Sequence, residues 1–119
     1  MAITQKRLAG PSQLTATTAV YYTTPSNTTT VVKQIILTNT TSSSKTVTVR
    51  LKPLGVAEAA TQDIISGMTI NANETMAFNC SLVLTNNNGV ANATNSDQLT
   101  ALCSSATSVN ITIVGIEEA

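Results

Sequence analysis

Val47, Val49 and Leu51 alternate with Thr46, Thr48 and Arg50, and Val109, Ile111 and Ile113 alternate with Asn110 and Thr112. A period of two sends successive side chains to opposite faces of a strand, so this pattern predicts half-buried β-strands. The polar member is almost always an uncharged Thr, Ser or Asn. A face of that kind packs against other protein without desolvating ions, which points to an assembly component more than to an enzyme.

Along the chain the same reading gives a series of short strands. Residues 1–13 carry Lys6 and Arg7 and are broken by Gly10-Pro11, so they are expected to form an extended N-terminal arm, with Ile3 and Leu8 as apolar anchors for a partner. Residues 14–119 are expected to form the sandwich domain. Its first strand is Thr15 to Thr24, ending at Pro25. The second, Val31 to Leu37, reads as apolar on both faces, with Val31, Ile35 and Leu37 on one side and Val32 and Ile36 on the other; such a strand is central or lies in an interface. Asn39 to Ser44 is a turn into the strand Lys45 to Pro53, so residues 31–53 read as a hairpin. Residues 54–63 hold one helical turn at most. Met68 to Ile70 and Met76 to Leu84 are strands joined by a turn at 71–74, Asn86 to Gly89 is a turn opening a polar stretch to Asp97, and Leu99 to Cys103 and Ser108 to Ile116 complete the set. Seven to eight strands spaced about ten residues apart predict an all-β antiparallel sandwich, Ig-like or jelly-roll in its connections.

Composition narrows the function. The chain has 119 residues, 42% of them hydrophobic and only 10% charged, with net charge zero and neither His nor Trp. It is of single-domain size and needs no disulfide scaffold to fold. The charge balance gives no electrostatic case for nucleic acid or an acidic membrane as partner, and no run of residues reaches the ~20 apolar positions of a membrane span. No apolar signal-peptide run opens the sequence, so synthesis in a host cytoplasm is expected, and the Asn-x-Ser/Thr sequons at Asn27, Asn39, Asn73, Asn79, Asn92 and Asn110 read as unmodified. Lys6, Arg7, Lys33, Lys45, Arg50 and Lys52 all precede residue 53, whereas Glu58, Asp63, Glu74, Asp97, Glu117 and Glu118 all follow it. Two halves on different faces would give neighbouring subunits an attractive pairing; strands that interleave in space would cancel the segregation within the chain.

The matching order of segments, a short AITQKRLAGP start, TTTVVKQIILTNTT, TVTVRLKP, the TINANET turn, SLVLTNNNG and the terminal VNITIVGIE, resembles the small β-sandwich proteins of tailed-bacteriophage virions. The resemblance covers nearly the whole chain and rests on strands and turns, without a catalytic signature. It implies a structural role on the particle, with copies of itself and other virion proteins as partners, and leaves the location open among head, neck and tail.

Candidate chemistry is sparse. Nucleophilic catalysis needs a base near neutral pH, and the chain has no imidazole. Asp63, Asp97 and Glu74 are irregularly spaced beside turns and read as structural. No cofactor or metal is expected: Cys80 and Cys103 lie far apart without His to complete a zinc site, and the segment 86–97 offers one carboxylate. The two cysteines read either as small core hydrophobes or as a disulfide, within or between subunits, formed outside a reducing cell. Tyr21-Tyr22 is the candidate recognition element, with one ring in the core and one in a subunit interface; a sugar-stacking platform is the other reading. The candidate partner-binding residues are therefore Ile3, Lys6, Arg7, Leu8, Tyr21, Tyr22, Val32 and Ile36. The expected protein is a non-enzymatic, homo-oligomeric virion component that decorates or reinforces the particle, with a host-surface carbohydrate-binding module of a tail fibre or spike as the alternative.

Overall fold

The computed structural model describes residues 3–86, 89–92 and 95–118. Asn87 and Asn88, the middle of the expected 86–89 turn, lie outside the described residues. Eight strands follow in order: β1 (Ile3–Gln13), β2 (Ala19–Thr23), β3 (Thr28–Asn39), β4 (Lys45–Lys52), β5 (Asp63–Ile70), β6 (Thr75–Asn86), β7 (Gln98–Cys103) and β8 (Val109–Glu118). A helical turn falls at Ala60–Gln62, inside the segment expected to hold at most one.

The strands form two four-stranded antiparallel sheets, β1-β8-β3-β6 and β2-β7-β4-β5. The first strand pairs with the last, the second with the second-last, and so inward to β4 with β5. The molecule is thus one long hairpin rolled into a two-sheet sandwich, which is jelly-roll connectivity and decides between the two topologies expected. β4–β5 is the hairpin tip. Every other connection crosses between sheets, so the turns at 39–44 and 71–74 carry the chain over the edge of the sandwich instead of closing hairpins within one sheet.

The N-terminal segment departs most from expectation. Residues 3–13 are an edge strand, paired with β8 from Ile3↔Glu118 to Gln13↔Asn110, with bulges between Arg7 and Ala9 and between Ala9 and Ser12. Gly10 makes this possible. Its φ is +78°, a region that favours glycine, and a Cβ there would overlap the Ile111 carbonyl. The break seen in sequence is therefore a bend in a paired strand and not a departure from the domain.

β3 also differs. Its buried positions run Thr28, Thr30, Val32 and then Ile35, Leu37, Asn39. Val32 faces Gly115 and Gln34 faces Val114, two steps on β3 against one on β8, so Lys33 is an extra residue in a bulge. The bulge resets the alternation. The strand is apolar on both faces, as its sequence reads, but the slip changes the sides: Val32, Ile35 and Leu37 face inward, and Val31 and Ile36 outward.

The core between the sheets is aliphatic, with Leu14, Val32, Ile35, Leu37, Val47, Val49, Ile70, Leu84, Leu99, Val109, Ile111 and Ile113 almost wholly buried. Each such side chain contributes about 1.5–3 kcal/mol by leaving water. Gly115 marks the tightest approach: a Cβ on it would overlap the Val31 carbonyl oxygen and come within 3.0 Å of Leu8 Cδ1. Gly115→Ala is expected to destabilise the fold by ~1–3 kcal/mol in urea unfolding; a loss within about 0.5 kcal/mol would show that β8 has room to shift. Deleting residues 2–10 removes most of the pairing of β1 with β8 and is expected to lower the thermal midpoint, whereas a detached arm would leave it unchanged.

Candidate assembly surface

The outward face of the β1-β8-β3-β6 sheet is built by register. Gln5 lies opposite Ile116, Ile116 opposite Val31, and Val31 opposite Val83, so three β-branched side chains stand in one row across three strands. The next row sets Arg7 beside Val114, then Gln34 and Asn79, whose amides bond across the strands at 3.1 Å. Beyond it, Ile36 stands between Thr112 and Ala77. Val83 is 55% exposed and Ile3, at the margin, 66% exposed. A recess of about 300 Å³ lined by Gln5, Lys6, Lys33 and Ile116 opens on this face. The face is apolar in its centre, amide- and hydroxyl-rich around it, and charged only at Arg7, Lys33 and Glu118.

The residues expected to bind partners do not gather into one patch. Ile3 and Arg7 sit on the outward side of β1 and Ile36 lies in the row beneath. Val32 and Tyr22 are buried between the sheets and are core residues, Val32 because the bulge turns it inward. Leu8 packs on that core. Lys6 is held at 3.0 Å by Glu117. Tyr21 lies half-buried on the other sheet, its hydroxyl donating to Gln13 O at 3.3 Å and accepting from Thr15 N–H at 3.2 Å, so it anchors the β1–β2 connection. The central row of Val31, Val83 and Ile116 is what sequence reading missed. The signal was present in the alternation of β6 and β8, but assigning an outward side chain to a shared row requires the register.

Polar groups that looked free for chemistry hold the fold. Tyr22 OH donates to Glu117 Oε2 at 2.6 Å, which leaves Thr30 Oγ1, 2.7 Å away, to donate to the phenol oxygen. Burial, followed by the Glu117 carboxylate, raises the Tyr22 pKa far above its ordinary value of 10. Arg50 bonds Asp63 at 2.6 Å and Glu58 at 3.2 Å, and the guanidinium holds the Asp63 carboxyl below its ordinary range. Asp97 accepts from the backbone N–H of Leu54 and of Thr85, each at 2.9 Å. Asn39, fully buried, donates to the carbonyls of Ser43, Ile70 and Asn71, and Asn86 does the same for Thr24 and Val90 at the opposite end of the sandwich. Two of the six basic residues, Lys6 and Arg50, thus pair within the chain with acids of its second half. Both cysteines are free thiols; Cys103 is a core residue, whereas Cys80 is half-buried and donates to Val32 O at 3.4 Å. Among the described residues no cluster of His, Cys, Asp or Glu is grouped to hold a metal ion.

No family model matches the chain, and no curated protein matches it in sequence. Solved structures do share its fold. A subunit of Bacillus endospore appendages, described as a novel family of disulfide-linked pili, aligns over 98% of this chain and 88% of its own with 17% identity and a TM-score of 0.58. A chain of infectious bursal disease virus, Gx strain, aligns over 98% of this chain with 10% identity and a TM-score of 0.55; the match spans 31% of that longer chain. These likenesses establish the β-sandwich fold.

Tyr22→Phe tests the buried cluster. It leaves Glu117 and Thr30 without their shared partner and is expected to cost ~1–3 kcal/mol. Because the folded state holds the Tyr22 proton more tightly than the unfolded chain, native stability falls as pH rises above 10, where only the unfolded phenol ionises. In denaturant titrations the wild type should lose more stability than Tyr22→Phe between neutral pH and pH values above 10; equal losses would remove Tyr22 from the account.

Proposed function

We propose that this chain is a non-enzymatic structural subunit of an ordered protein assembly, a virion component of a tailed bacteriophage that decorates or reinforces the head, neck or tail. The observation that carries this reading is the outward face centred on Val31, Val83 and Ile116: apolar in the middle, with amides, hydroxyls and the charges of Arg7, Lys33 and Glu118 around it. A subunit contact there removes apolar area from water with little desolvation of charge. Five of the six carboxylates are engaged in ion pairs or hydrogen bonds that hold strands and turns together. Two fold neighbours come from a pilus and a virus particle, which agrees with a building-block role, and the segment order seen in sequence supports the phage assignment. The carbohydrate-binding alternative called for an exposed aromatic cluster. The three aromatic rings of the chain are Tyr21, Tyr22 and Phe78, and each is buried or half-buried.

Val31→Lys places a charge at the centre of the face while leaving the inward side of β3 intact. The substituted chain is expected to keep its thermal midpoint within a few degrees but to enter particles, or to self-associate by light scattering, at least about tenfold less well than wild type. A wild-type chain that stays monomeric at high concentration and binds no virion protein would overturn the proposal.

A further inference from the structure

Each sandwich has four sheet edges, and three of them carry devices that discourage pairing with another chain. β1 has Lys6, Arg7, Pro11 and two bulges. β2 is five residues long, with a register shift and Pro25 just beyond it. β5 has Asp63, two register shifts and Gly67 at φ +55°. β6 has one register shift against β3, between Asn79 and Leu82, but no other such device: it runs twelve residues, TMAFNCSLVLTN, without a charge, a proline or a glycine.

Beside this edge the sandwich is open. Phe78, Cys80 and Leu82 of β6 face Ile64 and Ile65 of β5 across a recess of about 240 Å³, and Ile64 is 39% exposed. The backbone along β6 has a defined phase. Glu74 O accepts from Asn39 N–H at 2.9 Å, so even-numbered residues bond toward β3, and Thr85, at the far end, exchanges its N–H and C=O with Asp97 on the outer side. Ala77, Asn79, Ser81 and Val83 therefore turn their backbone groups outward, and Asp97 closes the edge beyond Leu84.

We infer that β6 pairs with β6 of a second copy about a two-fold axis, joining two β1-β8-β3-β6 sheets into one. The inference rests on the assembly reading above and names one of its contacts. A strand paired with its own copy across such an axis is necessarily antiparallel, the mode of every other pair in this fold. The outward groups bond only if odd-numbered residues face odd-numbered residues, and the free stretch runs from Thr75 to Leu84, so the longest pairings centre on Asn79 or on Cys80. Centring on Cys80 sets Ala77 opposite Val83, Asn79 opposite Ser81 and Phe78 opposite Leu82, like against like. Centring on Asn79 sets Ala77 opposite Ser81 and Thr75 opposite Val83, and the Cys80 register is the better matched. Twelve residues at the usual rise of a strand give β6 an edge ~40 Å long for such a contact. No charged side chain of β6 has to be desolvated.

This register places Cys80 opposite Cys80 of the second copy in a non-hydrogen-bonded pair, where Cα atoms approach to about 4.5 Å, within the range a disulfide spans. The test uses that geometry on the native chain. Treated with diamide, which takes up the two electrons and two protons released as the S–S bond forms, the protein should give a covalent dimer whose linked peptide is Cys80 joined to Cys80. Burial raises the Cys80 pKa, so the reaction should speed up with pH. Ser81→Pro removes the N–H of a residue that has no register partner on β3 and should weaken dimerisation and cross-linking by at least about tenfold. Ser81→Lys provides the same reading through an edge charge should the proline variant fail to fold. If the chain self-associates but gives no symmetric Cys80 link and ignores both Ser81 substitutions, the two-fold pairing is overturned while the assembly reading stands; a head-to-tail β6-to-β1 contact would give this result. A chain that never self-associates and binds no virion protein overturns both.

Discussion

A hairpin rolled on itself puts one demand on its sequence: residues from opposite ends of the chain must meet in a single register, because a slip of one residue sends every core side chain to the solvent face. The devices that hold the register sit where a slip would start. At the open end, Lys6 and Tyr22 both grip Glu117, tying β1, β2 and β8 together. At the tip, Arg50 holds Asp63 and Glu58 across β4, β5 and the loop between them. Between these points, Asn39 and Asn86 close the two ends of the β3–β6 pair through buried amides that donate to backbone carbonyls. These contacts specify more than they stabilise. Partly exposed ion pairs are worth ~1 kcal/mol or less, whereas a misregistered strand forfeits its whole buried face.

The same constraint accounts for part of the charge segregation along the chain. In a rolled hairpin the first half of the sequence lies against the second half, which brings Lys6 to Glu117 and Arg50 to Asp63 and Glu58. Part of the segregation is therefore pairing within the chain. What remains for subunit contact is area of low charge, which favours interfaces governed by shape and apolar burial over electrostatic steering.

The fold class and most strands were legible because they depend on alternation, which is local. The wrong readings share one cause: each needed a partner strand to be decided. Gly10-Pro11 looks like a terminus of structure until Ile111 and Ile113 are seen to pair around it. Val31 looks in phase with Ile35 and Leu37 until β8 shows that Lys33 is supernumerary. Turns at 39–44 and 71–74 have hairpin chemistry but connect different sheets, and turn residues carry no information about which sheet receives the next strand. The Tyr21-Tyr22 pair was read correctly in one respect, one ring inward, while the role of Tyr21 in bracing the β1–β2 connection depends on carbonyls that only the folded chain brings near.

For the surface, the physics of Thr, Ser and Asn faces deserves to be followed through. Such side chains keep an isolated sandwich hydrated, yet each loses only a few weak hydrogen bonds to water when another protein covers it and regains them through amide and hydroxyl partners, as Gln34 and Asn79 already do with each other. Ionic faces behave otherwise, because a buried charge must find an opposite charge in good geometry or cost several kcal/mol. A subunit with many neighbours in a lattice or tube meets several different surfaces at once, and neutral polar margins around small apolar centres tolerate that variety. The row of Val31, Val83 and Ile116 ends at β6, so a second subunit joined along that edge would continue the apolar centre from one sheet into the next, making the face and the edge parts of a single contact system.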